Sequence, residues 1–195
     1  NSASRQIVEN YLSAKYATPT STDYYAGDDN GDFDFDVIGI GQEIDGSETE
    51  ATAGGLSLSS AGVLVDNGDY IFAGHSGTAH SLAATDLPGG YIGRWARDWY
   101  ISVTDINANG GNVTLSFDYD QAGLVLPAGD FALVTRPGTT GAFSVASTGY
   151  AINGNIVSFT VNASSLIDGQ KYTIAEAGCE TAVITPTIVD NTSCA

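Results

Sequence analysis

Three sets of side chains in this sequence have the types and spacing to do chemistry. The first lies in Gly27-Asp28-Asp29-Asn30-Gly31-Asp32-Phe33-Asp34-Phe35-Asp36, where oxygen-bearing residues recur at alternate positions. Ten acids fall between residues 23 and 50, with no Lys or Arg among them. Carboxylates packed that closely repel one another, so they either face water or share a hard cation such as calcium. Asp28, Asn30, Asp32 and Asp34 are the expected calcium ligands, with Gly31 allowing a tight bend. An EF-hand is excluded, because Phe33 stands at the sixth loop position and Gly39 at the twelfth. The competing expectation is a solvated acidic strand, with Asp34 and Asp36 outward and Phe33, Phe35 and Val37 inward.

The second set is Arg94-Trp95-Ala96-Arg97-Asp98-Trp99-Tyr100. Strand alternation puts Trp95, Arg97, Trp99, Ile101 and Val103 on one face, which sets a cation in an apolar row. Arg97 must then be paired, extend its head to water, or stack between the indoles. Facing outward, Trp95, Arg97 and Trp99 make a sugar-binding platform; facing inward, they are core. The third set is Gly74-His75-Ser76-Gly77-Thr78-Ala79-His80. It is not a Gly-x-Ser-x-Gly elbow, and no cysteine lies near enough in sequence to complete a zinc set. Both histidines are therefore read as loop residues without partners. No phosphate-cradling or dinucleotide motif occurs. Among 23 acids some pair falls at glycosidase separation by chance, so none is singled out.

Charge narrows the partners. Six bases face 23 acids, for a net charge of −17 over 195 residues. Such a surface repels phosphate backbones and anionic lipid, which disfavours nucleic acid and membrane surfaces as partners. No apolar run approaches the length of a membrane span. Solubility comes from Gly, Ser, Thr, Asn and Asp, and 24 glycines against five prolines suit many short strands joined by tight turns. Methionine is absent even at position 1, as expected of a processed mature protein or an excised fragment. Cys179 and Cys194 lie close together; in an exported chain they are expected to pair, with two free thiols as the alternative.

The elements that must position these groups are one helix and many strands. Ile7, Val8, Tyr11, Leu12 and Tyr16 recur at helical spacing, predicting a helix over about 4–17 with Ser4 as its cap and Pro19 beyond its end. Val113, Leu115, Phe117 and Tyr119 alternate with Thr114, Ser116 and Asp118, the pattern of a half-buried strand. Residues 150–152 and 156–161 flank Asn153-Gly154-Asn155, a hairpin signal. Further strands are predicted at 56–58, 63–65, 69–73, 95–103, 131–135 and 171–175. The expected fold is all-β: an antiparallel β-sandwich, jelly-roll or immunoglobulin-like, with one N-terminal helix, spanning 1–178. Residues 179–195 are expected to be a separate cysteine-bracketed tail, apolar and β-branched over 181–189 and interrupted by Pro186. It reads as a linker, an edge strand or a strand that pairs with another copy.

The segment Ser4-Arg5-Gln6-Ile7-Val8-Glu9-Asn10-Tyr11-Leu12-Ser13-Ala14-Lys15-Tyr16 resembles the helix that closes a laminin-G-like, concanavalin-type module in secreted Bacteroidetes proteins. Phe35-Asp36-Val37-Ile38-Gly39-Ile40-Gly41, then Arg94-Trp95-Ala96-Arg97-Asp98-Trp99, then the strand at 113–117 resemble, in the same order, the uncharacterised β-sandwich domain that follows it. The resemblance runs over about 4–178. It implies an exported bacterial surface protein with adhesin-like neighbours, and it carries no catalytic residue. The resulting expectation is a non-enzymatic, extracellular structural or adhesive β-sandwich, secreted to the cell surface and able to self-associate into a filament through its tail. A carbohydrate-binding module that takes surface glycans is the alternative, and a fragment of a polysaccharide-active enzyme the third reading.

Overall fold

The alternation of Val113, Leu115, Phe117 and Tyr119 drives those side chains into the gap between two sheets, where each is at most 1% exposed. The computed structural model describes residues 1–104 and 111–178. Cys179, Cys194 and the expected tail strand lie outside the described residues.

In chain order the described elements are a helix α1 (Ser2–Tyr16), then β1 (Phe35–Glu43), β2 (Gly46–Glu48), β3 (Glu50–Ala53), β4 (Leu56–Ala61), β5 (Tyr70–His75), β6 (Leu82–Ala83), β7 (Tyr91–Trp95), β8 (Trp99–Thr104), β9 (Asn112–Asp118), β10 (Phe131–Arg136), β11 (Ser144–Ser147), β12 (Ala151–Asn153), β13 (Ile156–Asn162) and β14 (Lys171–Ala177). The larger sheet runs β11-β10-β14-β8-β5-β1-β2, with β7 against β14 and β6 on β7. The smaller runs β12-β13-β9-β4-β3. Pairings between these strands are antiparallel throughout. Their inner faces meet through residues such as Ile40, Leu58, Ile71, Trp99, Leu115, Phe117, Phe159 and Ile174. Burying one such side chain contributes roughly 1.5–3 kcal/mol, so this row dominates stability. The fold is the expected all-β sandwich with one N-terminal helix.

The outer face of the smaller sheet is tiled with hydroxyls. Thr52 pairs with Ser57, Ser116 with Ser158 and Thr114 with Thr160, each at 2.8 Å. Cross-strand hydroxyl pairs of this kind satisfy a solvated face without charge.

The outer face of the larger sheet is covered by α1 and the segment that follows it. Ala3, Ala14, Tyr25, Phe33, Val37, Tyr70, Phe72 and Tyr100 form this second core. The helix departs from expectation in which face it buries. It packs through Ala3, Asn10, Ser13 and Ala14, while Val8, Leu12 and Tyr16 are exposed. Asn10 explains the rotation. Its Oδ1 accepts from the Tyr24 and Tyr25 N–H groups at 2.7 and 3.1 Å, and its Nδ2 donates to the Gln6 and Thr22 carbonyls. A buried amide that satisfies four backbone groups is invisible to hydrophobic periodicity. The cap is Asn1, not Ser4: Asn1 Oδ1 accepts from the Ser4 N–H at 2.8 Å. Asp45, on the β1–β2 turn, accepts from the Ser2 N–H, which seats the helix N-terminus and holds that carboxyl below its usual range.

Beyond the helix, the loops at 84–90 and 137–143 close over β7, β10 and β14. Arg94 and Arg136 stand 4.8 and 4.3 Å from the Phe143 ring centroid, and Arg136 Nη2 donates to Asp98 Oδ2 at 2.6 Å. Two strand predictions need correction. Residues 63–65 form no strand; Val63 alone is buried there. The strand predicted at 95–103 is two strands, β7 and β8, broken at residues 96–98.

Candidate functional site

The break at 96–98 and a bulge in β1 meet at one corner of the sandwich. Along β1 the register passes from Phe35 opposite His75 to Ile38 opposite Ala73, so Asp36 and Val37 share the single partner position of Gly74. Asp36 takes φ 48°, a left-handed conformation that Asp tolerates better than most residues. The bulge destroys the expected alternation: Phe33 is buried and Phe35 is 48% exposed. It also swings the Asp36 carboxylate onto His75, Oδ2 to Nε2 at 2.9 Å, while the His75 Nδ1 faces the Ser76 carbonyl. The His75 ring lies against the Phe35 ring on one side and the Trp99 indole on the other.

Arg97 leaves the apolar row at the strand break, where Thr173 Oγ1 donates to its carbonyl at 2.8 Å. Its Nε donates to Thr78 O at 2.9 Å, and its Nη1 donates to Gly54 O at 3.1 Å and to His80 Nε2 at 2.6 Å. Asp36 Oδ2 lies 4.0 Å from the same Nη1. One guanidinium therefore ties together the β3–β4 turn, the 76–81 loop and the bulge. Burial, opposed by Asp36, lowers the Arg97 pKa, and burial with Arg97 lowers that of His80. Gly54 is at φ 54°, and a Cβ there would sit 2.5 Å from Asp36 Oδ2, so this corner requires glycine.

One sequence alternative is decided here and one expectation changes. Trp95 and Trp99 are 1% and 0% exposed, core residues beneath the His80 and His75 rings as the inward reading has them, so they offer no sugar platform. His75 and His80 are not partnerless loop residues. His75 ends β5, and both belong to this network.

Above the corner lie two shallow hollows that share Asp36 and Tyr11. One, of about 310 Å³, is walled by Tyr11, Lys15, Asp34, Phe35 and Asp36. The other, of about 360 Å³, continues between α1 and β3 past Val8 and Ala53. Lys15 Nζ donates to Tyr11 Oη at 2.6 Å and stands over the Tyr11 and Tyr16 rings; the Tyr11 hydroxyl holds its pKa above the usual lysine range. Asp34 Oδ1 is shielded from solvent and has no hydrogen-bond partner. The hollow thus offers an exposed aromatic ring, carboxylate acceptors and an ammonium donor within one small space. Sequence reading missed Phe35, Tyr11 and Lys15 as a group, because the bulge that exposes Phe35 has no signature in residue type.

Of the expected calcium ligands, the carboxylates Asp28, Asp32 and Asp34 do not gather into one metal-holding group. Asp28 and Asn30 lie in a short 3₁₀ turn, Asn30 Nδ2 donates to Ala26 O at 2.7 Å, and Phe33 is drawn under Tyr100. Burial pushes the Asp28 carboxyl up, and its Oδ1 is shielded without a partner. Among the described residues no three His, Cys, Asp or Glu groups come together as a metal site, whereas calcium takes about six to eight oxygens. No described helix is long and apolar enough to cross a membrane.

Comparison of the chain with protein-family models, with curated proteins and with solved structures returns no match.

Proposed function

We propose that this chain is a non-enzymatic, extracellular structural and adhesive β-sandwich of a bacterial surface, and that it adheres by holding a neutral glycan at the Phe35 hollow. The observation that carries the reading is the half-exposed Phe35 ring beside Asp34, Asp36, Tyr11 and Lys15. A pyranose presents apolar C–H faces and equatorial hydroxyls. An exposed ring takes the first, while carboxylates and an ammonium take the second. The net charge of −17 argues for a neutral glycan, since an acidic one is repelled at long range. Asp36 is already engaged by His75 and lies close to Arg97, which suits a fixed acceptor better than a proton shuttle.

The test is a panel of neutral and acidic oligosaccharides read by calorimetry against the unmodified chain, Phe35→Ala and Asp34→Asn. Selective binding of a neutral glycan, weakened at least tenfold by Phe35→Ala with the fold intact, is the expected result. Binding by Phe35→Ala equal to that of the unmodified chain, or no binding on the panel, overturns the glycan reading. Turnover of a glycan that Asp36→Asn or His75→Gln abolishes overturns the non-enzymatic one.

A further inference from the structure

His80 occupies a position that only a neutral imidazole fits. Arg97 Nη1 lies 2.6 Å from His80 Nε2, and a guanidinium nitrogen can only donate. Nε2 must therefore present its lone pair, which an imidazolium lacks. His80 Nδ1 is shielded from solvent without a partner. The ring stands edge-on to Trp95, with centroids 5.3 Å apart, and a Cβ at Gly55 would meet it at 3.1 Å.

The charged and titratable groups around it come from three sides. Arg97 faces it from the β7–β8 break, His75 stands at the end of β5, and Asp36 projects from the β1 bulge. The β3–β4 turn contributes backbone, through the Gly54 carbonyl, an acceptor that favours the protonated ring. Asp36 is already shared between His75 and Arg97, so a new cation at His80 meets Arg97 with no carboxylate to itself. The contact also has leverage. Arg97 holds the 76–81 loop at two points, the Thr78 carbonyl and the His80 ring, and losing the second leaves residues 76–80 with the Thr78 bond from Arg97, while the Ala96 N–H still holds the Ser81 carbonyl at 2.8 Å.

We propose that the Arg97–His80 contact is an acid-released latch. Protonation of His80 repels Arg97, loosens residues 76–80 up to the Ser81–Ala96 bond, and leaves Arg97 to close on Asp36. That last movement neutralises a carboxylate of the glycan hollow, so the bound sugar is released. The loop opening stands on geometry alone, whereas the release of sugar rests on the proposed glycan reading.

The direction of the response follows from the environment of the ring. Burial first and Arg97 second, against the opposing Gly54 carbonyl and Asp36, hold the His80 pKa below its ordinary value of 6.5. Stability that depends on the neutral ring is complete above the unfolded-state value and is lost as pH falls through the lower, folded-state one. The latch is closed at neutral pH and opens in mild acid.

The chain has two histidines, so an NMR titration of the imidazole carbons resolves both. His80 is expected to titrate below the ordinary histidine range, with the amide protection factors of residues 76–81 falling tenfold or more over the same pH span. His80→Gln supplies an uncharged acceptor to Arg97 and is expected to keep the loop protected across that span. A loop whose protection factors do not change as His80 titrates overturns the latch, and this is read on the unmodified chain alone. Opening of the Gln variant at the same pH overturns it too. Glycan affinity is read in parallel and is expected to fall at least tenfold in acid for the unmodified chain only. Binding that weakens equally in both chains overturns the coupling, while no binding at neutral pH overturns the glycan reading and leaves the latch to the exchange data.

Discussion

Asp36 Oδ2 lies 2.9 Å from His75 Nε2 across a bulge in which Asp36 itself is left-handed at φ 48°. The side chain of His75 is 3% exposed, so its nitrogen depends on this partner, whereas the Asp36 side chain is 48% exposed. Asp36→Ala removes the acceptor and keeps the unfavourable backbone. It is expected to cost about 1–3 kcal/mol, the penalty of a stranded buried donor plus strain. Asp36→Asn keeps an acceptor and tolerates the left-handed backbone, so it stays near the original stability. Urea unfolding of the two variants checks this; equal midpoints for Ala and Asn remove Asp36 as the support of His75.

Asp98 and Arg136 form a pair with both side chains buried, at 7% and 10% exposure. Removing Asp98 leaves Arg136 with the longer pair to Asp86 Oδ2 alone, 3.6 Å from its Nη1. Asp98→Ala is expected to destabilise by about 1–3 kcal/mol, below the cost of a wholly unpaired buried charge. Asp98→Ala with Arg136→Met is expected to recover much of that loss, because the weakly paired cation is gone. A double-mutant cycle in denaturant measures the coupling, and additive costs would show that the pair acts as two independent residues.

Burial holds the Asp28 carboxyl above the usual range, and its Oδ1 has no partner. Its folded-state pKa is raised, so its contribution to stability is full below the unfolded-state value and is lost as pH rises through the folded-state one. Asp28→Asn is therefore expected to raise the melting point at pH 7 and to make no difference below about pH 3.5, near the ordinary Asp value. Calcium is expected to leave the melting point of the unmodified chain in place, since Asp28, Asp32 and Asp34 do not come together as one metal-holding group. A rise of several degrees that Asp28→Asn abolishes would show that the loop rearranges into a ligand set.

How far each element was legible depends on whether its residues act locally. β9 shows its two faces in residue type, because one meets the core and the other carries hydroxyls. The hairpin of β12 and β13 was legible from Asn153-Gly154-Asn155, where Gly154 takes φ 60°. The helix was legible as a helix, but its buried face was not, because Asn10 is held by backbone groups more than ten residues away. Trp95 and Trp99 kept the inward facing that alternation allows, yet Arg97 escaped between them through a strand break. The candidate site was the least legible part. It joins Tyr11, Phe35, Asp36, Gly54, His80 and Arg97, which are distant in sequence, through a bulge that no single residue announces.

Gly54 and Gly154 separate the two things that make this corner intolerant. Both are left-handed, at φ 54° and 60°, but a Cβ at Gly154 meets nothing within 4 Å, whereas one at Gly54 lies 2.5 Å from Asp36 Oδ2 and 3.0 Å from Trp99. Gly154→Ala therefore reports backbone strain alone, about 1–2 kcal/mol. Gly54→Ala adds displacement of the Asp36 carboxylate from His75, and is expected to cost about 1–3 kcal/mol more than its control. If the excess comes from Asp36, it shrinks in an Asp36→Ala background, because the clashing atom and the hydrogen bond are already gone. The imidazole resonances of His75 and His80 should move with Gly54→Ala and stay in place with Gly154→Ala. Equal costs for the two alanines, or an excess that persists without the Asp36 carboxylate, would place the intolerance in the Trp99 contact instead.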